Sequence, residues 1–175
     1  MIKKFLNLLK AHKVEFVSKQ NEAQNAYTFN FTKPENVDYK AGQHFVFFLP
    51  HENMDNRKNF RIFTISSPPA AKYFSVTTRY FGEESSSFKK ALMSMEPGDE
   101  LSVRGPSPIS DVYTINDFSR PYLFIAGGIG ISPFRAVLKD SINKGKNLDA
   151  KLVYLNSDDD FIFGEELKKL TKNRD

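Results

Sequence analysis

Three clusters of residues in this chain have the types and spacing to do chemistry. The first is Arg61-Ile-Phe-Thr-Ile-Ser-Ser67. On a strand, residues two apart share a face, so Arg61, Phe63 and Ile65 point one way and Ile62, Thr64 and Ser66 the other. A guanidinium in such a row can grip a phosphate through two parallel hydrogen bonds, beside an aromatic ring and a hydroxyl. The same pattern also describes a plain strand with an exposed arginine and a core phenylalanine. The second cluster, Gly82-Glu-Glu-Ser-Ser-Ser-Phe88, opens a helix with serines, which cap the first N–H groups or hand them to an anion. In the third, the apolar run Tyr122–Ala126 stops at Gly127-Gly128-x-Gly130, and a helical pattern follows from Pro133. A strand, a glycine turn and a helix start in that order offer backbone N–H groups to a pyrophosphate, and proline suits the first helical turn. The spacing differs from G-x-G-x-x-G, and a tight turn without a ligand would read the same way.

These clusters need elements to position them. Lys13 to Phe31 alternates around the polar break Ser18–Asn25 and predicts two strands joined by a loop. Further strands are expected over Gln43–Leu49, Phe60–Ser67, Tyr73–Tyr80 and Glu100–Arg104, with a short helix behind a serine cap from Glu84 to Met93. About six antiparallel strands with one helix predict a small closed barrel. From Tyr122 the style changes to strand Tyr122–Ala126, helix Pro133–Asn143, strand Lys151–Leu155 and helix Gly164–Leu170, which predicts a parallel sheet. The expected domains are 1–118 and 119–175.

Composition narrows the functions available. The chain has 175 residues, 40% of them apolar and 26% charged, and 17 phenylalanines but no tryptophan, which suits a β-rich soluble body. With no cysteine there is no disulfide, zinc–thiolate site or cysteine-ligated iron–sulfur cluster within it. His12, His44 and His51 have no metal-ligand spacing, so no metal is expected. A net charge of +4 suits an anionic cofactor or an acidic protein partner, not nucleic acid. No apolar stretch approaches the about 18 residues of a membrane span. Met1–Lys10 is basic then apolar, but Asn7 interrupts it and no small-residue cleavage site follows, so a short amphipathic helix and a cytoplasmic location are expected.

A barrel first and a glycine-loop α/β unit second, carrying these motifs, resembles the ferredoxin–NADP reductase superfamily from about Lys10 to Leu170. There an N-terminal barrel holds FAD and a C-terminal α/β domain holds the nicotinamide nucleotide. The Arg-x-Tyr-Ser/Thr segment of the family corresponds to Arg61, Phe63 and Thr64, continued by Ile65 and Ser66. The resemblance makes Arg61 a pyrophosphate ligand, Phe63 the flavin-stacking ring and Thr64 the hydroxyl near flavin N5. Phe63 replaces the usual tyrosine, which keeps the stack and loses the phenol's hydrogen bond. The resemblance also implies that the backbone of Val76-Thr-Thr-Arg-Tyr80, Thr78 included, follows the flavin and its ribityl chain. Arg79 is a further phosphate partner or a solvated strand residue. Ser86 and Ser87, and less so Ser85, would meet the FAD pyrophosphate. Gly127, Gly128 and Gly130 would clear space for the NAD(P)H pyrophosphate, and Ser132 would reach the nicotinamide. Asn156-Ser-Asp-Asp-Asp160, with no arginine or lysine between Lys151 and Lys168, slightly favours NADH, although a solvated loop reads nearly the same.

The implied reaction passes electrons from NAD(P)H through FAD to a one-electron acceptor such as ferredoxin, flavodoxin or an iron–sulfur domain. The α/β part is short for this, since two parallel strands leave apolar faces and edges open. Either the chain is truncated, or an oligomer or another chain completes the sheet. A flavin-binding electron-transfer subunit without NAD(P)H turnover is the alternative reading, and a barrel with no cofactor is the third.

Overall fold

The computed structural model describes residues 10–107 and 111–172. Apart from Lys10, the helix expected at Met1–Lys10 lies outside them. Six strands come first: β1 (His12–Ala23), β2 (Ala26–Phe31), β3 (His44–Phe48), β4 (Phe60–Thr64), β5 (Phe74–Arg79) and β6 (Glu100–Arg104). They form one sheet in the order β4-β3-β6-β1-β2-β5, with every paired neighbour antiparallel. The bridge Ile65↔Val76 and the 2.9 Å bond from Ser66 N–H to Ser75 O join its two ends, so the sheet closes as expected.

Phenylalanine fills this barrel because a flat ring covers two strands at little rotamer cost. Phe45 meets Phe74 edge to face at 5.0 Å, and Phe47 stacks on Phe74 at 5.8 Å. Helix α1 (Ser87–Ser94) closes one end by burying Phe88 and Leu92, which lie four apart on one face. Its N-cap is Ser86, whose hydroxyl accepts from Lys89 N–H at 3.4 Å.

One expectation is corrected. The polar stretch Ser18–Asn25 is no loop, because β1 continues to Ala23 and pairs with β2 through Lys19↔Phe29 and Gln20↔Thr28. Only Gln24 and Asn25 turn, with Asn25 in the left-handed region at φ 57°. Backbone ladder bonds hold this hairpin, so its outward side chains can be polar.

The second unit holds β7 (Tyr122–Gly127) and β8 (Ala150–Leu155), paired in parallel, with helices α2 (Ser132–Asn143) and α3 (Gly164–Lys172). Phe124, Ala126, Leu152 and Tyr154 pack against the helices on one face. The other face carries Leu123, Ile125, Val153 and Leu155, each at least 45% exposed. Ala23 and Ala26 of the barrel hairpin join Ala126, Ile131, Ile162 and Phe163 in one apolar cluster, which docks the units together.

Candidate functional site

Strand β4, helix α1 and the end of β5 enclose a groove of about 360 Å³. Arg57, Arg61, Ile62, Phe63, Thr78, Phe81, Glu84, Ser85, Ser86 and Lys89 line it. Of the residues singled out from sequence it therefore collects Arg61, Phe63, Thr78, Ser85 and Ser86. The side chain of Arg61 is only 11% exposed. It donates to both carboxylate oxygens of Asp55 at 3.0 and 2.8 Å, and to the carbonyls of Arg57, Lys58 and Phe60 at 2.9, 3.1 and 2.6 Å. Its guanidinium lies 5.3 Å from the Phe88 ring centre, and its buried Nε has no partner among the described residues. Phe63 is held edge-on to Phe47 at 5.5 Å and against Phe88 at 5.9 Å.

Thr64 sits half-buried opposite His44, whose pKa burial lowers. Ile65, Ser66 and Val76 are buried, and Ser66 Oγ accepts from Thr77 at 2.9 Å. Ser85 accepts from Phe81 N–H at 2.7 Å, which closes the turn before α1. Ser87 faces away from the groove. Its hydroxyl accepts from Asp55 N–H at 2.9 Å and lies 3.0 Å from His51 Nε2, so it anchors the loop between β3 and β4.

A second groove, about 610 Å³, adjoins the first across Phe81. Gln24, Asn25, Arg79, Phe81, Gly127–Ile129 and Leu155–Asp158 line it. Gly128 has φ +48°, and a Cβ there would lie 3.4 Å from Arg79 Nη2 and 3.7 Å from Asn156 Oδ1. Arg79 bridges the units by donating to Asn156 Oδ1 at 3.1 Å and Gln24 O at 3.4 Å. Gly130 lies outside this lining. Ser132 is buried and donates to Ile129 O at 2.9 Å. Asp158 accepts from Asn156 Nδ2 at 2.7 Å, and Asp160 accepts from Gln24 N–H at 2.5 Å. Two of the three acids thus brace the loop.

A polar clamp holds the two grooves in register. Arg135 of α2 donates to Ser66 O at 2.8 Å and to Glu166 of α3, and sits 4.3 Å from the Phe163 ring centre. Lys139 also pairs with Glu166. Burial pushes the Glu166 carboxyl up, but its bonds to Arg135 and Lys139 outweigh this and leave its pKa lowered.

Arg57, Lys89, Phe81 and Gln24 line the grooves without having been marked in the sequence. Arg57 and Lys89 carried no periodic signal, and Phe81 lies just past the strand expected to end at Tyr80. Among the described residues no group of three ligating side chains could hold a metal ion, and no helix is long and apolar enough to cross a membrane.

A sequence profile of the oxidoreductase FAD-binding domain matches residues 13–109. The glycine betaine monooxygenase reductase subunit of Chromohalobacter salexigens is 28% identical over 165 residues, which is 91% of this chain and 43% of that protein. Ferredoxin–NADP reductase B of Sorangium cellulosum is 28% identical over 140 residues, 78% of this chain and 54% of that one. The chain thus spans about half the length of these relatives. In fold it is similar to the flavohem-like FAD/NAD binding domain of nitric oxide dioxygenase from Vibrio cholerae. There the TM-score is 0.78 at 17% identity, over 93% of this chain and 70% of that one.

Proposed function

The chain belongs to the oxidoreductase FAD-binding domain family, and from that premise we propose that it binds FAD in the groove between β4 and α1 and receives electrons from NAD(P)H held at the glycine turn. The single observation that carries this reading is the pair of adjoining grooves that share Phe81. One is lined by cations, serines and rings, and the other by glycine backbone.

The residues present fit FAD. The first groove gathers Arg57, Arg61 and Lys89, and Arg61 Nε is buried with no partner among the described residues. Burial, and then the charges of Arg57 and Arg61, lower the pKa of Lys89, a strain that an anion relieves. Ile62 and Phe81 give the groove exposed apolar surface for flat rings, at 61% and 49% exposed.

Bound flavin supplies the redox chemistry, accepting electrons as a pair and releasing them singly. The chain's own share is placement. Phe63 borders the place for the flavin ring, and the neighbouring Thr64, outside the groove lining, is the hydroxyl the family resemblance puts at its N5 edge. Gly127 and Gly128 let the coenzyme pyrophosphate approach the start of α2, and the Arg135 clamp fixes the distance between the two sites. The acids at Asp158–Asp160 slightly favour NADH. Relatives named as a monooxygenase reductase subunit and a ferredoxin–NADP reductase support a one-electron protein acceptor such as ferredoxin, flavodoxin or an iron–sulfur domain.

The exposed face of Leu123, Ile125, Val153 and Leu155 favours a second reading. In it the chain binds flavin and transfers electrons, but NAD(P)H turnover needs further polypeptide to complete the sheet. An anaerobic absorption titration with FAD, then NADH and NADPH, separates the two. Saturable FAD binding followed by bleaching is expected for the first reading, and binding without bleaching supports the second. Failure to bind FAD overturns both.

A further inference from the structure

Resting on the flavin reading above, we infer that Lys89 and Arg57 join Arg61 in holding the FAD diphosphate, Arg61 offering its one open donor and acting as the post that positions the other two. Arg61 has spent its other donors. Both terminal nitrogens are engaged, by Asp55 and by the carbonyls of Arg57, Lys58 and Phe60, and Asp55 neutralises its charge. Only Nε–H remains, on a side chain that is 11% exposed. The Arg61–Asp55 pair is therefore a neutral brace for the loop between β3 and β4.

That brace sets Arg57 in place. The backbone N–H of Arg57 donates to Asp55 Oδ1 at 2.8 Å, while its guanidinium comes no closer than 4.0 Å to the same carboxylate and is 69% exposed. Lys89 enters the groove from the other side, in the first turn of α1. Its ammonium has no carboxylate partner among the described residues, and the charged neighbours acting on it are the cations Arg57 and Arg61. Glu83, the nearby acid, is taken by Lys90, which leaves Glu84 as the carboxylate in the groove lining. Lys89, and Arg57 with only a 4.0 Å contact to the already engaged Asp55, leave a net positive groove beside the opening turn of a helix. That matches a diphosphate, whose two linked phosphoryl groups each carry one negative charge on their outer oxygens.

The test titrates FAD into the full chain, into the double variant R57Q/K89Q and into the charge-keeping double variant R57K/K89R, each checked for its fold by circular dichroism. Two salt concentrations are used, about 0.1 M and about 1 M, between which the screening length falls from about 10 to about 3 Å. R57Q/K89Q is expected to lose about tenfold or more in FAD affinity at the lower salt, the size of one or two charge-assisted hydrogen bonds. The gap from wild type should narrow at the higher salt, and R57K/K89R should stay close to wild type. A loss of about threefold or less in R57Q/K89Q, or a loss that salt leaves unchanged, overturns the assignment. Absence of saturable FAD binding by the wild-type chain overturns the flavin reading itself, which is a distinct outcome.

Discussion

Two phenylalanines of the first groove differ in what surrounds them, and the difference separates binding from stability. Phe63 is wedged between Phe47 and Phe88, so part of its surface belongs to the barrel core. Phe81 stands 49% exposed where the two grooves meet. Phe81→Ala should leave unfolding stability within about 0.5 kcal/mol. It should weaken FAD by roughly 3- to 10-fold, the worth of one aromatic contact. Phe63→Ala should cost about 2–3 kcal/mol of stability, less than a fully buried ring because Phe63 is only half enclosed. Urea unfolding and flavin titration on both variants check the contrast, and equal stability losses would contradict it. The sequence made Phe63 legible because the Arg-x-aromatic-hydroxyl spacing marks it. It hid Phe81, whose exposure depends on where β5 ends. It equally hid the engagement of Arg61, since Asp55 lies in a polar loop whose closure no periodicity reveals.

At the scale of elements, α1 and the loop between β3 and β4 behave as one piece. Ser86 and Ser87 are adjacent and chemically identical, yet only the fold assigns their tasks. Ser86 caps α1 through a long 3.4 Å bond, whereas Ser87 ties the helix to Asp55 N–H and His51. Ser86→Ala should therefore cost about 0.5–1 kcal/mol, the low end for a lost cap. Ser87→Ala removes two hydrogen bonds and should cost about 1–2 kcal/mol. Ser87→Ala should also weaken FAD, because it frees the loop that carries Arg57, and Ser86→Ala should weaken it by removing a hydroxyl from the groove lining. Matched denaturation and FAD titrations would reveal the reverse order if the tasks were exchanged. The elements themselves were largely legible, since alternation in β2, β3 and β6 and the four-residue spacing of Phe88 and Leu92 report burial directly. The outer half of β1 was not, because a hairpin held by its backbone ladder shows no apolar alternation.

Across the whole molecule, the two units communicate through side chains far apart in the chain. The glycine turn and the incomplete parallel sheet were readable from Gly127 to Gly130 and from the two short apolar runs. The clamp was not, because Arg135 meets Ser66, 69 residues earlier, and Glu166, 31 residues later. Its energetics make a pH prediction. Glu166 has its pKa lowered below the ordinary 4.5, since Arg135 and Lys139 outweigh the burial that pushes it up. Its stabilisation is therefore complete above that value and is lost as pH falls through the lowered one. Glu22 on β1 faces the same cluster with the opposite sign. Burial raises its pKa, the charge of Glu166 adds to this, and Arg135 and Lys139 oppose it. Protonating Glu22 on the way down from neutral pH thus adds stability before the clamp fails. Urea midpoints measured from neutral to acid pH should first rise slightly and then fall steeply. Glu22→Gln should remove the rise. Glu166→Gln should lower stability at neutral pH by about 1–2 kcal/mol, as expected for charge-assisted bonds that are partly exposed, and flatten the acid fall. An acid fall of wild-type steepness in Glu166→Gln would show that the acid sensitivity lies elsewhere, for example in the Asp160 contact to Gln24 N–H.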